Sequence, residues 1–175
     1  MAGFRWSSCG AARGLEANDP LGALSRVALR DDAPALSLRG TLNMYSGSPQ
    51  AAIHDLRRAM RLDPLFTQGY LHHLGVAHIV AGDYETAVAL LKERIVLVPE
   101  TDMSRAYLAA ALGNLGYIEE ARRVWDELMA INPDYSVAER IGQMPFKNRS
   151  DLARIERGLS RAGLLNASVP RADVP

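Results

Sequence analysis

Four histidines, one cysteine and a few paired carboxylates are the side chains here that could catalyse a reaction or hold a metal. His72, His73 and His78 share one stretch, but imidazoles meet on a helix face only when three or four residues apart, and no pair of these is. His54 stands elsewhere, with Asp55 beside it. Histidines on a surface or in a groove, without a ligand, fit this pattern. Cys9 is the only cysteine, so neither an internal disulfide nor a thiolate cluster can form, and no obvious activating partner adjoins it. Glu119-Glu120 and Asp126-Glu127 alternate with Arg122 and Arg123 at helical spacing, the pattern of a solvated, ion-paired face rather than of an acid and base set against each other. No glycine precedes Lys-Ser or Lys-Thr, and no serine sits in a Gly-x-Ser-x-Gly turn. The chain is therefore expected to be no enzyme and to bind neither metal nor cofactor.

Composition narrows the partners. Twenty basic residues balance twenty acidic ones at a pI near 6.9, so no field of one sign draws in nucleic acid or an anionic membrane. The apolar stretches around Leu74 to Ala81 and Ala106 to Leu112 fall well short of the roughly 20 residues that span a bilayer, so no membrane insertion is expected. The opening MAGFRWSSCGAARG lacks the apolar core of a secretory signal. With a lone cysteine, it points to a soluble protein of the reducing cytoplasm.

The elements that would position a binding surface are set by a fixed pitch. Gly47, Gly82 and Gly116, then Ala52, Ala87 and Ala121, then Pro64, Pro99 and Pro133 recur at steps of 35 and 34 residues. Three residue types keeping one period mark a stacked repeat array. Each repeat reads as two amphipathic helices. In the second, a helix near Gln68 to Ala81 carries Leu71, Leu74, Gly75 and His78 on one stripe, Gly82 closes it, Asp83 caps the next, and Ala87, Val88, Leu91 and Ile95 lead to the stop at Pro99. The first repeat has Leu36, Gly40 and Met44, then Ser48 as cap and Pro49 as first helical residue. The third has Leu108, Ala109 and Leu112, with Tyr117 a poor cap. Small residues at Gly40, Gly75 and Ala109 face Ala52, Ala87 and Ala121, letting paired helices approach closely.

This spacing, with LGVAHIVAGDYETAVALLKERIVLVP as its best stretch, resembles the tetratricopeptide repeat family over about 100 of the 175 residues. The resemblance implies an all-α, right-handed solenoid of stacked antiparallel helix pairs, with three repeats over residues 34–134, and Arg39 and Arg105 as its departures from the pattern. Residues 1–33 read as a degenerate or truncated, partly disordered repeat, 135–165 as C-terminal capping helices, and 166–175 as a flexible tail. An end cap needs a polar outer face, which Asp151, Arg154, Glu156, Arg157 and Arg161 would supply.

What the family implies about function is a concave groove lined by the first helix of each pair. Carried onto this register, it consists of Ser37, Thr41, Met44 and Tyr45, then His72, Val76 and Ile79, then Ala106, Ala110 and Asn114. The lining is small and weakly apolar, and lacks the lysine and asparagine clamp by which some relatives hold a C-terminal carboxylate. A protein or peptide partner is implied, docking as an apolar helix or extended segment. The other reading is that the chain's own last helix, Ser150 to Ala162, fills the groove. Finally, Met144 to Leu164 resembles the segment closing the repeat region of certain bacterial class III adenylate or guanylate cyclases, through Pro145, Phe146, Lys147, Asp151, Leu152, Gly158, Leu159, Ala162, Gly163 and Leu164. That resemblance implies the detached or truncated regulatory tail of a signalling protein.

Overall fold

The computed structural model describes residues 30–165, all of them helix or connection. The expectations for residues 1–29 and 166–175 lie outside the described residues. Six helices of the array follow in order: α1 Ala33–Tyr45, α2 Pro49–Leu62, α3 Thr67–Ala81, α4 Tyr84–Leu97, α5 Asp102–Leu115 and α6 Ile118–Ile131. A 3-10 turn, Pro64–Phe66, links α2 to α3. Each helix packs on the one before and the one after, so α1/α2, α3/α4 and α5/α6 form three antiparallel pairs stacked in a row.

The punctuation acts through its backbone requirements. Gly47, Gly82 and Gly116 adopt φ of 83°, 85° and 83°, a left-handed conformation that strains any residue with a Cβ. Pro64, Pro99 and Pro133 follow the second helices, where a missing amide and a ring clash forbid continuation. Asp83 caps α4 by accepting from the Thr86 amide at 3.2 Å. Ser48 behaves otherwise: it precedes Pro49 as expected but makes no side-chain capping bond. The proline has already removed one amide that a cap would satisfy.

Within pairs, the small residues are held against large ones. Gly40 faces Leu56 and Gly75 faces Leu91, while Ala52, Ala87 and Ala121 are fully buried. Both departures from the repeat pattern have partners. Arg39 Nε donates to Asp55 Oδ2 at 2.7 Å and its Nη2 to Oδ1 at 3.0 Å, clamping α1 to α2. That bond holds the buried Asp55 carboxyl below the usual carboxylate range. Arg105 ties the loop before α5 by donating to the carbonyls of Pro99 and Thr101, and reaches Glu127 of α6 at 3.3 Å. Asp55→Ala leaves the half-buried Arg39 without its bidentate acceptor and should lower unfolding free energy by about 1 to 3 kcal/mol. A urea midpoint equal to that of the unaltered chain would show that the pair is dispensable.

After α6 the chain departs from a simple end cap. A short helix α7, Val137–Arg140, leads into irregular chain, and α8, Arg149–Arg161, follows. Of residues 135–144, expected as part of the capping helices, only the four of α7 are helical. α8 packs on α5 and α3, the first helices of pairs three and two. It lies across the inner face of the array instead of prolonging the stack.

Candidate functional site

The inner face is covered by two passes of residues 135–164. The first runs from the third pair back to the first: the Tyr135 ring meets Trp125 edge-on at 5.9 Å, Ile141 is fully buried, and Tyr45 is engaged three times. Its hydroxyl donates to Met144 Sδ at 3.4 Å, its ring meets Phe146 at 5.0 Å, and its carbonyl accepts from the Lys147 amide at 2.8 Å. The second pass, α8, returns toward the third pair. Its start, Asn148 and Asp151, lies at the Gly47 turn, and the Arg154 guanidinium donates to the Val80 carbonyl beside the Gly82 turn. Its end meets α5 and α6: Arg161 Nη1 donates to Asn114 O at 3.0 Å and Arg122 Nε to Ala162 O at 3.1 Å. Two of the five residues expected on a polar outer face therefore point inward, with Asp151 buried and Arg154 bonded beneath the helix.

Backbone contact makes the fit of α8 specific. Gly158 lies against the Ala110 carbonyl, and Gly113 against the carbonyl of Gly158, so neither position has room for a Cβ. Asn114 Nδ2 donates to the Arg154 carbonyl at 2.8 Å. Around this seam Leu152, Ile155 and Leu159 enter one core with Met44, Val76, Ile79, Ala106 and Ala110. Of the ten residues expected to line the groove, those last five are buried. Tyr45 and Asn114 bond the covering segment, as just described.

The remaining three lie elsewhere. His72 is largely buried against Tyr107, its Nδ1 2.8 Å from Ser104 Oγ. Thr101 donates to the same oxygen at 3.2 Å, and burial keeps the imidazole neutral. A serine on a histidine has the contact of a nucleophile and base, but Ser104 is fully buried and burial lowers the pKa of His72 to about 3. It serves as a tie between α3 and α5. Ser37 and Thr41 line a cleft of about 400 Å³ with Pro34, Leu38, Phe66 and Tyr70, the part of the inner face left open at the first pair. His78 donates through Nδ1 to Asp83 at 2.9 Å and sits 3.4 Å from Arg57 of α2, linking the first two repeats. Among the described residues no group of three histidine or acidic side chains could hold a metal ion, and no helix is long and apolar enough to cross a membrane.

The neutral state of His72 gives stability a pH dependence of definite sign. An unfolded chain takes up this proton near pH 6.5, the folded one only near 3, so acid favours unfolding between those values. Stability is complete above the upper limit and falls by about 1.4 kcal/mol for each pH unit below it. Burial lowers the pKa of His73 and His78 as well, in the same sense. Urea midpoints measured from pH 7 down to pH 4 should fall less steeply in His72→Gln. Parallel curves would assign the slope to other groups.

Sequence reasoning named the first helices as groove and offered the last helix as its filling, but gave no contact in the groove to Gly113, Gly158, Arg122, Ile141, Met144 or Phe146. A signal for them existed. From Ser104 to Gly113, α5 is buried on every side, and its run AYLAAALG offers apolar or small residues all round, which a helix lining an open groove does not.

Comparison with known proteins agrees with this architecture. Residues 68–93 and 103–127 match the tetratricopeptide repeat family model, which is the second pair and most of the third. These two stretches are similar to tetratricopeptide repeats. Solved tetratricopeptide repeat structures superpose on it. The first TPR of Spaghetti (RPAP3), bound to HSP90 peptide SRMEEVD, is 18% identical over 73% of this chain and 95% of its own, with a TM-score of 0.55. MamA AMB-1 is 20% identical over 86% of this chain and 83% of its own, with a TM-score of 0.57. At these identities the likeness is one of fold, the all-α solenoid of stacked antiparallel pairs. No curated protein sequence matches the chain.

Proposed function

We propose that the chain is a non-enzymatic interaction module of the cytoplasm whose inner face receives an apolar helix of a protein partner, with α8 as the resident occupant that the partner replaces. The observation that carries this is the seat of α8. It is a separate amphipathic helix, joined through irregular chain, whose glycine and three apolar side chains fit a trough of small residues on α3 and α5. A trough that accommodates one helix at backbone contact selects for another with the same features: a small residue at the centre and aliphatic residues three and four positions away. The peptide-bound neighbour supports a peptide-like partner, but without the basic clamp recognition here rests on shape and apolar contact.

The residues behind the cyclase resemblance have packing duties. Leu152, Gly158, Leu159, Ala162 and Leu164 are all buried in the seam, so their presence follows from closing the groove and favours no cyclase connection.

The test uses Gly158→Leu, which denies α8 its seat. A labelled peptide of residues 146–165 should bind the variant in trans and fail to bind the unaltered chain, whose groove is occupied. Scrambling the peptide should abolish binding. If the peptide ignores a variant whose helix content by circular dichroism is retained, the trough is no receptor for helices.

A further inference from the structure

The outer layer repeats a feature that neither the pairing of helices nor the covered groove uses. Two residues before each closing proline stand Leu62, Leu97 and Ile131, exposed by 58%, 52% and 40%. They form a row along α2, α4 and α6, joined by Val96 at 77%. Charge along the same three helices is graded. In α2, Arg57, Arg58 and Arg61 accompany one carboxylate, Asp55, already held by Arg39, and Arg58 reaches Asp31 at 3.6 Å; in α4 the charges balance; in α6 four carboxylates outnumber two arginines, with Glu119, Glu120 and Glu127 paired to Arg122, Lys92 and Arg105 and Asp126 left over. The face is thus basic at one end, neutral at its middle and acidic at the other, with an apolar row running through it. The repeat register makes Arg57, Lys92 and Asp126 equivalent positions.

We propose that two copies of the chain pair through this face about a two-fold axis running along α4. That operator lays α2 of each copy on α6 of the other, so Arg57 meets Asp126 and Leu62 meets Ile131, while Val96 and Leu97 meet their own counterparts at the axis. A two-fold across the helices instead would set arginine on arginine, so the charge gradient chooses between the two arrangements. Shape agrees with the same choice. Leu65, 92% exposed, protrudes from the link between α2 and α3, on one side of α4. On its other side, between α4 and α6, a dent of about 430 Å³ is lined by Ile95, Val96, Leu108 and Val124 and rimmed by charged side chains, among them the Lys92–Glu120 pair at 2.7 Å. Rotation about α4 carries the projection of each copy toward the dent of the other.

Light scattering on the full chain decides the matter. The mass should climb from 19.1 kDa toward twice that value with concentration, and the association should weaken as salt is added. Arg57→Glu or Asp126→Arg alone should raise the dissociation constant by about tenfold or more, because each sets like charges opposite. Both changes in one chain should restore it. Since Arg57 also touches His78, circular dichroism checks that variant's fold, and Val96→Asp breaks the axis without that contact. A chain that stays at 19.1 kDa up to millimolar concentration overturns the proposal. So does a double reversal that dimerises no better than the single ones.

Discussion

Gly158→Leu frees α8 from the inner face while the three helix pairs stay folded. The position has no room for a Cβ, because the Ala110 carbonyl and, at 2.6 Å, Asn114 Nδ2 already occupy the space. Backbone cannot yield as a side-chain tip does, so the helix leaves. Leu152, Ile155 and Leu159 then lose their burial, each worth about 1.5 to 3 kcal/mol. The three pairs pack on one another without α8, so the change appears as local opening more than global unfolding. Trypsin should cut the variant rapidly after Arg149, Arg154, Arg157 and Arg161 and leave α1 to α6 intact, whereas the unaltered chain resists at those bonds. Equal resistance in both would mean that α5 shifts to make room, and that the seam is not fixed by its glycines.

The second large effect falls inside a pair. In Gly75→Val the new Cβ lands 2.6 Å from Leu91 Cγ and 2.7 Å from its Cδ2. Leu91 is itself fully buried, and its branch point cannot move without separating α3 from α4. Overpacking of this kind costs about 3 kcal/mol, the upper end of the usual range. The thermal midpoint should drop by on the order of 10 °C for a domain of this size. Each pair leans on its neighbours, so the loss should appear as one cooperative transition at lower temperature. A shift of a degree or two would show that the α3/α4 contact is looser than the buried leucine implies.

The array was legible because its rules are local. Gly47, Gly82 and Gly116 are needed at left-handed turns, and Pro64, Pro99 and Pro133 stop helices whatever lies elsewhere in the chain. The boundaries of α3 and the Asp83 cap follow from neighbouring residues alone. The covering of the groove is different in kind. It depends on Tyr45 meeting Met144 and Phe146, and on Val80 meeting Arg154, pairs about 100 and 74 residues apart that no spacing within one helix reveals. α8 itself was visible as an amphipathic helix, and its glycine as a small residue, but the seat for that glycine is made by the backbone of α5. The departures Arg39 and Arg105 read as blemishes in the repeat pattern because their partners, Asp55 and the Pro99 carbonyl, become neighbours only once the pairs have formed.

That dependence on distant partners orders events in time. Neighbouring helices can dock as soon as each pair leaves the ribosome, but Tyr45 must wait for residues made about 100 positions later. Throughout that interval the first helices have no covering segment, and closure of the groove is expected as the last step of folding. A nascent chain is therefore the form in which the trough has no resident helix to compete with.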